Sequence, residues 1–428
     1  MKIASITLGC KVNQYETQAM ERALEQRGHS LCPLDASPDA VIINTCAVTA
    51  ESGRKSRQAV RRAKSTAPDA VIAVCGCFSQ LSPEETAALG ADLVFGSGER
   101  MRFVSELERV FNEKSKLVSV DIAADRKLFE PLSAGSVTGR TRAMLKIEDG
   151  CENWCAYCVI PSVRGPVRSL DPDKAVSEAV RLAAEGYREL VITGIEISSY
   201  GRDLGNGIDL ASLVSRIAAA APEMRLRLGS LDPAAVTEAF CSALPSAGLC
   251  RHFHLSVQSG CTATLLRMNR RNTAADLIGV TDLLRRRFPG CALTADLITG
   301  FPGETEEEFA ETLGTIRRCA FSSMHIFPYS RRPGTRACDM PGQVPEAVKA
   351  ERASRARALA ADMKAEYLAS CVGKRLNVLF ETEKNGLSTG HSDNYCTVSV
   401  EKTGLRGRLL DVEIEKNEDS LLFGHIVG

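Results

Sequence analysis

The chain has 428 residues, 44% of them hydrophobic and 25% charged, so wholesale disorder is excluded and there is material for two or three cores. Lys and Arg total 53, as do Asp and Glu, so any polyanion would have to be met by a local patch rather than by net charge. The opening MKIASITLGC lacks an export signal, and no apolar run reaches the roughly 18–20 residues of a membrane span, so a cytoplasmic protein without membrane partners is expected.

In chain order, residues 2–8 read as a strand and 14–27 as an amphipathic helix. Residues 40–44 and 70–74 are β-branched strands leading to helices over 51–64 and 83–89. A strand over 92–95 and a helix over 99–112 complete a parallel βα unit, residues 1–130. Residues 125–141 have a linker composition. A second βα series follows, with strands at 143–148, 189–193, 225–228, 252–257, 292–298 and 323–327 and helices such as 172–184, 210–220 and 305–319. Six strands fall short of a closed eight-stranded barrel, so a partial barrel is expected over 131–369, ending in a long helix at 345–369. Short strands separated by Gly and Asn turns predict a small all-β barrel over 370–428.

Sixteen cysteines are the anomaly. In a reducing compartment, grouped cysteines point to metal or redox chemistry rather than disulfides. Cys151, Cys155 and Cys158 form a C-x3-C-x2-C run directly after the first strand of the second series, the end where α/β folds place active sites. Three close thiolates without an evident fourth ligand suit a [4Fe–4S] cluster with one open iron; a zinc loop completed by a distant ligand is the competing reading. Cys10, Cys46 and Cys77 each follow a strand of the first unit and would converge at the carboxyl edge of a parallel sheet. Cys75 rivals Cys77 as the third member, and scattered buried thiols are the plainer alternative.

The C-x3-C-x2-C run with an aromatic before its last cysteine resembles the radical S-adenosylmethionine (SAM) superfamily. With TLGCKVNQYET, NTCAVT, GCFSQ, IEDGCENWCAYCVIPSVRG, DLITGFPGETEEEF, HIFPYSRRPGTRA and a final TRAM-like barrel, essentially the whole chain resembles the radical SAM methylthiotransferases. The opening motif and FPYSRRPGT look most like the branch acting on threonylcarbamoyladenosine in tRNA. The resemblance implies two [4Fe–4S] clusters. One, on Cys151, Cys155 and Cys158, would bind SAM and generate a 5′-deoxyadenosyl radical; the other, on Cys10, Cys46 and Cys77, would present sulfur methylated from a second SAM. It implies addition of a methylthio group to C2 of that nucleoside at tRNA position 37, a reductase or flavodoxin-type electron donor, and a sulfur donor. The chemistry is coherent, because an adenine C2–H has no acid–base route at neutral pH and needs a radical.

By superfamily position, Tyr157 packs near the SAM adenine, and Gly194 and Glu196 approach its methionyl amine. Gln258 and Ser259 contact its ribose or carboxylate, and Asp296 and Gly300 lie near its adenine. Trp154 is expected to shield the cluster from water. Basic side chains crowd one helix (Arg54, Lys55, Arg57, Arg61, Arg62, Lys64) and the segment after the sixth strand (Arg331, Arg332, Arg336), either of which can meet phosphates. The C-terminal barrel, with seven Lys/Arg against nine Asp/Glu, would have to use stacking through Phe380, Tyr395 or Phe423. The six histidines look too dispersed for a metal site. Competing functions are methylthiolation of isopentenyladenosine in tRNA or of a ribosomal-protein aspartate and, from another class, a non-catalytic iron–sulfur or zinc RNA-binding module.

Overall fold

The computed structural model describes residues 1–134 and 141–427, so the middle of the expected linker lies outside the described residues. The first unit runs β1 (Lys2–Thr7), α1 (Lys11–Gln26), β2 (Ser30–Leu31), β3 (Ala40–Thr45), α2 (Ala50–Thr66), β4 (Val71–Gly76), α3 (Cys77–Leu81), α4 (Pro83–Ala88), β5 (Leu93–Phe95), α5 (Arg100–Glu113) and β6 (Leu117–Ser119). Its six strands are parallel in the order β2-β1-β3-β4-β5-β6. Successive residues of a strand face opposite sides. Ile42 and Ala73 therefore pack with Met20, Leu24, Phe103 and Leu107 from α1 and α5, while Val41, Ile43 and Val74 pack with Ala59, Val60 and Ala63 from α2. Strands apolar on both faces are what a sheet covered by helices on both sides requires. The edge strands β2 and β6 and the five-residue α3 were not anticipated, being too short to carry a period.

The central unit comprises β7 (Ala143–Lys146), β8 (Glu148–Asp149), α6 (Ile160–Arg164), β9 (Arg168–Ser169), α7 (Pro172–Ala184), β10 (Glu189–Thr193), α8 (Leu210–Ala220), β11 (Arg225–Leu228), β12 (Ser230–Leu231), α9 (Glu238–Ala243), β13 (His252–Gln258), α10 (Thr262–Arg267), α11 (Ala274–Arg287), β14 (Ala292–Thr299), α12 (Glu306–Cys319), β15 (Ser323–Pro328) and α13 (Glu346–Ala369). The sheets β11-β10-β7 and β12-β13-β14-β15 are parallel, and together they give the expected open barrel with six principal strands. Leu145, Ile192, Leu228, Leu255 and Leu293 face the helices. The intervening Met144, Val191, Arg227, His254 and Asp296 consequently face the lumen.

The last unit is a closed barrel, β16 (Arg375–Lys384), β17 (Leu387–Ser392), β18 (Thr397–Val400), β20 (Leu421–Ile426) and β19 (Leu409–Glu418) in that spatial order, closed by a parallel β18–β20 pairing. It docks where the central strands begin. Arg225 donates to Asn377 O at 2.6 Å and His391 O at 2.8 Å, Arg227 donates to Ser392 O at 3.0 Å, and Arg251 pairs with Asp393 at 2.7 Å. Tyr395, held at φ +66, stacks between His252 and His391 with centroids 4.8 and 4.9 Å away, and the Arg227 guanidinium lies 4.7 Å from its ring. This corrects the expectation for one aromatic. Phe380 is fully buried in the barrel core and is not presented to RNA, whereas Tyr395, 36% exposed at the joint between units, stays accessible.

Candidate active site: two cysteine trios and an interdomain cavity

The central trio is built by local chain geometry. Gly150, at φ +95, turns the backbone after β8; a Cβ there would lie 1.9 Å from Pro166 O, so only glycine fits. The loop is then pinned by Cys151 N donating to Gly165 O (3.1 Å), Ala156 N to Met268 O (2.9 Å) and Ile160 N to Cys158 Sγ (3.4 Å). Arg270, held by Ser256 O at 2.8 Å, places Nη1 3.7 Å from Cys155 Sγ, and Tyr157 sits beside Cys155 and Arg270. Burial pushes the Cys158 thiol up to about 12 and raises Cys151 as well. Trp154 in the same loop is 59% exposed.

The other trio is collected from three strand ends. Cys10 sits at the N-terminus of α1, and a Cβ on the preceding Gly9 would come within 2.8 Å of Cys46 Sγ, which places Cys46 alongside. Cys46 follows β3 and is tied to α2 through Ser56 Oγ, bonded to both its N–H (3.2 Å) and its carbonyl (3.0 Å). Cys77 opens α3; burial pushes its thiol up to about 11, Cys46 and Cys10 add to the rise, and Arg164 opposes it. Cys75 does not share its orientation. The intervening Gly76 has φ +110, and a Cβ on it would lie 2.4 Å from Thr45 O, so the chain leaves the strand there. Cys75 packs in the core with Ile42 and Phe95 and lies near Arg100, Glu16 and Arg164.

The two trios approach one another across the domain boundary, since Cys77 packs with Val163 and Ile160 of α6, the helix that follows Cys158. Among the described residues, neither trio brings all its sulfurs within 4.8 Å of one another. A single zinc, with Zn–S near 2.3 Å, would hold sulfurs about 3.8 Å apart, so the wider spacing fits a multi-iron cluster better than one ion. Buried neutral thiols also need a strong nearby cation before they ionise and ligate.

The joint is made by a fully buried charge network that sequence reading missed. Glu16 of α1 accepts from Arg100 (2.9 Å), Lys146 (2.8 Å) and Arg164, while Asp149 pairs with Lys146 (2.8 Å), Arg164 (3.4 Å) and Arg168 (3.3 Å). Two carboxylates against four cations leave positive charge beside Cys10 and Cys77, where an anionic cluster would be favoured. Arg164 also donates to Asn13 Oδ1 at 2.8 Å, and its buried Nε has no partner among the described residues. In the sequence, Glu16, Asp149 and Arg164 stand inside the quoted motifs, while Arg100, Lys146 and Arg168 lie outside them.

Of the remaining expected contacts, Gly194 and Glu196 lie together: a Cβ on Gly194 would be 2.7 Å from Glu148 Oε2, which accepts from Glu196 N at 2.7 Å. Burial, with Asp232, lifts the Glu196 carboxyl to about 7, and Glu196 neighbours Cys151. Gln258 ends β13 at φ +67 on the lumen side. Ser259 is turned away, its hydroxyl engaged by Thr312 (3.2 Å) and Cys261 N (3.2 Å). Gly300 faces α13, where a Cβ would meet Lys349 Cγ at 2.4 Å. Asp296 binds His254 at 3.3 Å and His325 at 3.1 Å, so these two histidines, expected to be dispersed, share one carboxylate in the lumen with spacing suited to a single ion. In the basic patches, Arg54 and Lys55 pair with Glu51, Arg57 with Glu85, and Arg332 donates to Ala47 O, which leaves Arg61, Arg62 and Arg336 exposed.

Between α1, the lumen face of β7 and β10, and the terminal barrel lies a cavity of about 830 Å³, lined among others by Lys11, Gln14, Arg142, Met144, Val191 and Tyr395. That size accepts a nucleoside.

The fold is that of a radical SAM enzyme. A radical SAM methyltransferase structure from Kitasatospora setae, TsrM, aligns over 90% of this chain and 79% of its own with a TM-score of 0.57 at 17% identity. Residues 2–96 match the family described as "Uncharacterized protein family UPF0004", 145–316 the radical SAM superfamily and 369–427 the TRAM domain. The threonylcarbamoyladenosine tRNA methylthiotransferase MtaB of Bacillus subtilis is 37% identical over 97% of this chain and 94% of its own; its namesake from Thermotoga maritima is 37% identical over 91% and 89%. A tRNA-2-methylthio-N(6)-dimethylallyladenosine synthase from Caldicellulosiruptor saccharolyticus is 31% identical over 99% and 92%. The chain belongs to the radical SAM tRNA methylthiotransferase family and is a transferase. No described helix is long and apolar enough to cross a membrane.

Proposed function

We propose that this protein converts N6-threonylcarbamoyladenosine at tRNA position 37 to its 2-methylthio derivative. The observation that carries the reading is the packing of Cys77 against α6, directly after Cys158, across a joint welded by Arg164. Cys151, Cys155 and Cys158 would hold one [4Fe–4S] cluster and Cys10, Cys46 and Cys77 a second, the packing of Cys75 in the sheet core favouring Cys77. When bound, the clusters supply reductive SAM cleavage and a sulfur for transfer. The chain's own residues position and insulate. Arg270 and Tyr157 flank Cys155, Gly194 leaves room beside Glu148, and Glu196 stands next to Cys151 where an amine can be received. Arg164 and its carboxylates hold the two sulfur sites in register, so that base, radical source and sulfur stay within reach of one another. The unit boundaries near 130 and 369, a cytoplasmic setting, a reductase or flavodoxin-type electron donor and a sulfur donor belong to the same proposal. Arg61, Arg62 and Arg336 are the free cations we assign to tRNA phosphates. Mass spectrometry of tRNA nucleosides after anaerobic turnover with labelled SAM tests it: 2-methylthio-threonylcarbamoyladenosine is expected, and an unchanged digest would refute it.

A further inference from the structure

Lys11 is a cation of the cavity with no ion-pair partner among the described residues. Arg142 is taken by Glu381 at 2.8 Å, and Arg225 and Arg227 share Glu189. Glu383 is spent on the backbone N–H groups of Leu405 (2.8 Å) and Arg406 (3.2 Å). Lys11 lines the cavity with no hydrogen bond or ion pair among the described residues; Tyr395, Arg227 and Arg142 lie around it, and the carboxylate in its surroundings, Glu189, is already shared by Arg225 and Arg227. Its side chain is open to the cavity, so an anion entering there meets an ammonium without an ion-pair partner.

We propose that Lys11 receives the carboxylate of the threonyl group on the substrate base, inside this cavity. The inference rests on the function proposed above and adds the feature by which the base is chosen. Lys11 directly follows Cys10, and consecutive Cα atoms are about 3.8 Å apart, so a base tethered there by its N6 substituent lies beside the N-terminal trio. Met144 and Val191 offer apolar surface for the base and Gln14 a polar contact. A threonylcarbamoyl group ends in a carboxylate; a dimethylallyl group carries no charge and leaves Lys11 unanswered. Selection between these two modified adenosines follows from one ammonium.

The test compares anticodon stem-loops carrying threonylcarbamoyladenosine or its methyl ester, bound to the cluster-loaded enzyme and followed by fluorescence anisotropy. A charge-assisted contact of this kind makes the acid bind about 10- to 100-fold more tightly than the ester. Lys11→Gln should bind both as the wild type binds the ester, with iron content per chain unchanged, and Lys11→Arg should keep most of the preference. The inference is overturned if Lys11→Gln still prefers the acid, or if it weakens acid and ester alike, as loss of a phosphate contact would. Failure of the functional reading would show separately, as absence of methylthio product from the wild-type enzyme, because the binding comparison does not require turnover.

Discussion

The two cysteine trios differ in what makes them. The central one comes from eight consecutive residues, 151–158, bent by Gly150 and pinned by backbone hydrogen bonds. The N-terminal one has no local existence: Cys10, Cys46 and Cys77 come together only because β1, β3 and β4 pair in parallel and end at one rim. Each has a buried arginine whose Nε finds no partner among the described residues, Arg270 beside Cys155 and Arg164 beside Cys77. Arg270 belongs to the same unit as its cysteines, whereas Arg164 reaches across from the other. The comparison teaches that the first site is a property of a loop and the second a property of an interface.

That contrast can be broken most forcefully at Arg164. Arg164→Met breaks the buried pairs that Glu16 and Asp149 make with Arg164 and its bond to Asn13, a loss of up to about 3–5 kcal/mol, to be read from urea unfolding. The same variant should lose iron selectively from the N-terminal site. Gly76→Ala comes next: strain at φ +110 and a clash with Thr45 should cost about 1–3 kcal/mol and displace Cys77. Gly186→Ala, at φ +93 but with nothing within 4 Å, should cost about 1–2 kcal/mol and spare the iron, as metal counting on both proteins would reveal. A third comparison sets Cys77→Ala against Cys75→Ala. The former should remove roughly half the iron, and the latter should keep it at a stability cost of about 1 kcal/mol for a small core void. Iron lost only from Cys75→Ala would reverse the assignment.

The smallest effect lies at the opposite end of the lumen. Burial first, then Arg227, hold His252 well below the ordinary imidazole range, while an unfolded histidine protonates near pH 6.5. Below that pH the unfolded chain binds the extra proton, so the stability His252 contributes is present above about pH 6.5 and declines as pH falls, by at most about 1.4 kcal/mol per unit. His252→Phe, which keeps a ring against Tyr395, should flatten the fall of Tm between pH 8 and 5.

Long periodic elements were legible in the sequence. Pro172–Ala184, Leu210–Ala220, Glu189–Thr193 and Arg225–Leu228 fall where periodicity put them, because each carries its own amphipathic or β-branched signal. The C-x3-C-x2-C site was legible for the same reason of locality. The pairing of His254 and His325 through Asp296 was not, since three neighbouring strands must lie side by side before their lumen faces meet. Nor was the stacking of Tyr395, an aromatic in a turn, against His252 and Arg227 of another unit.

By itself, then, the sequence determined the three units, the βα order and the ligand candidates, with Cys75 still open beside Cys77, each carried by a motif local to its own stretch of chain. Only the tertiary structure decided that Cys75 turns into the core while Cys77 packs against α6, that Glu16 is neutralised by cations from two units, and that Lys11 stands in a cavity without an ion-pair partner among the described residues. These are matters of direction and of buried charge, and a side chain's direction and dielectric surroundings exist only once distant segments have packed around it.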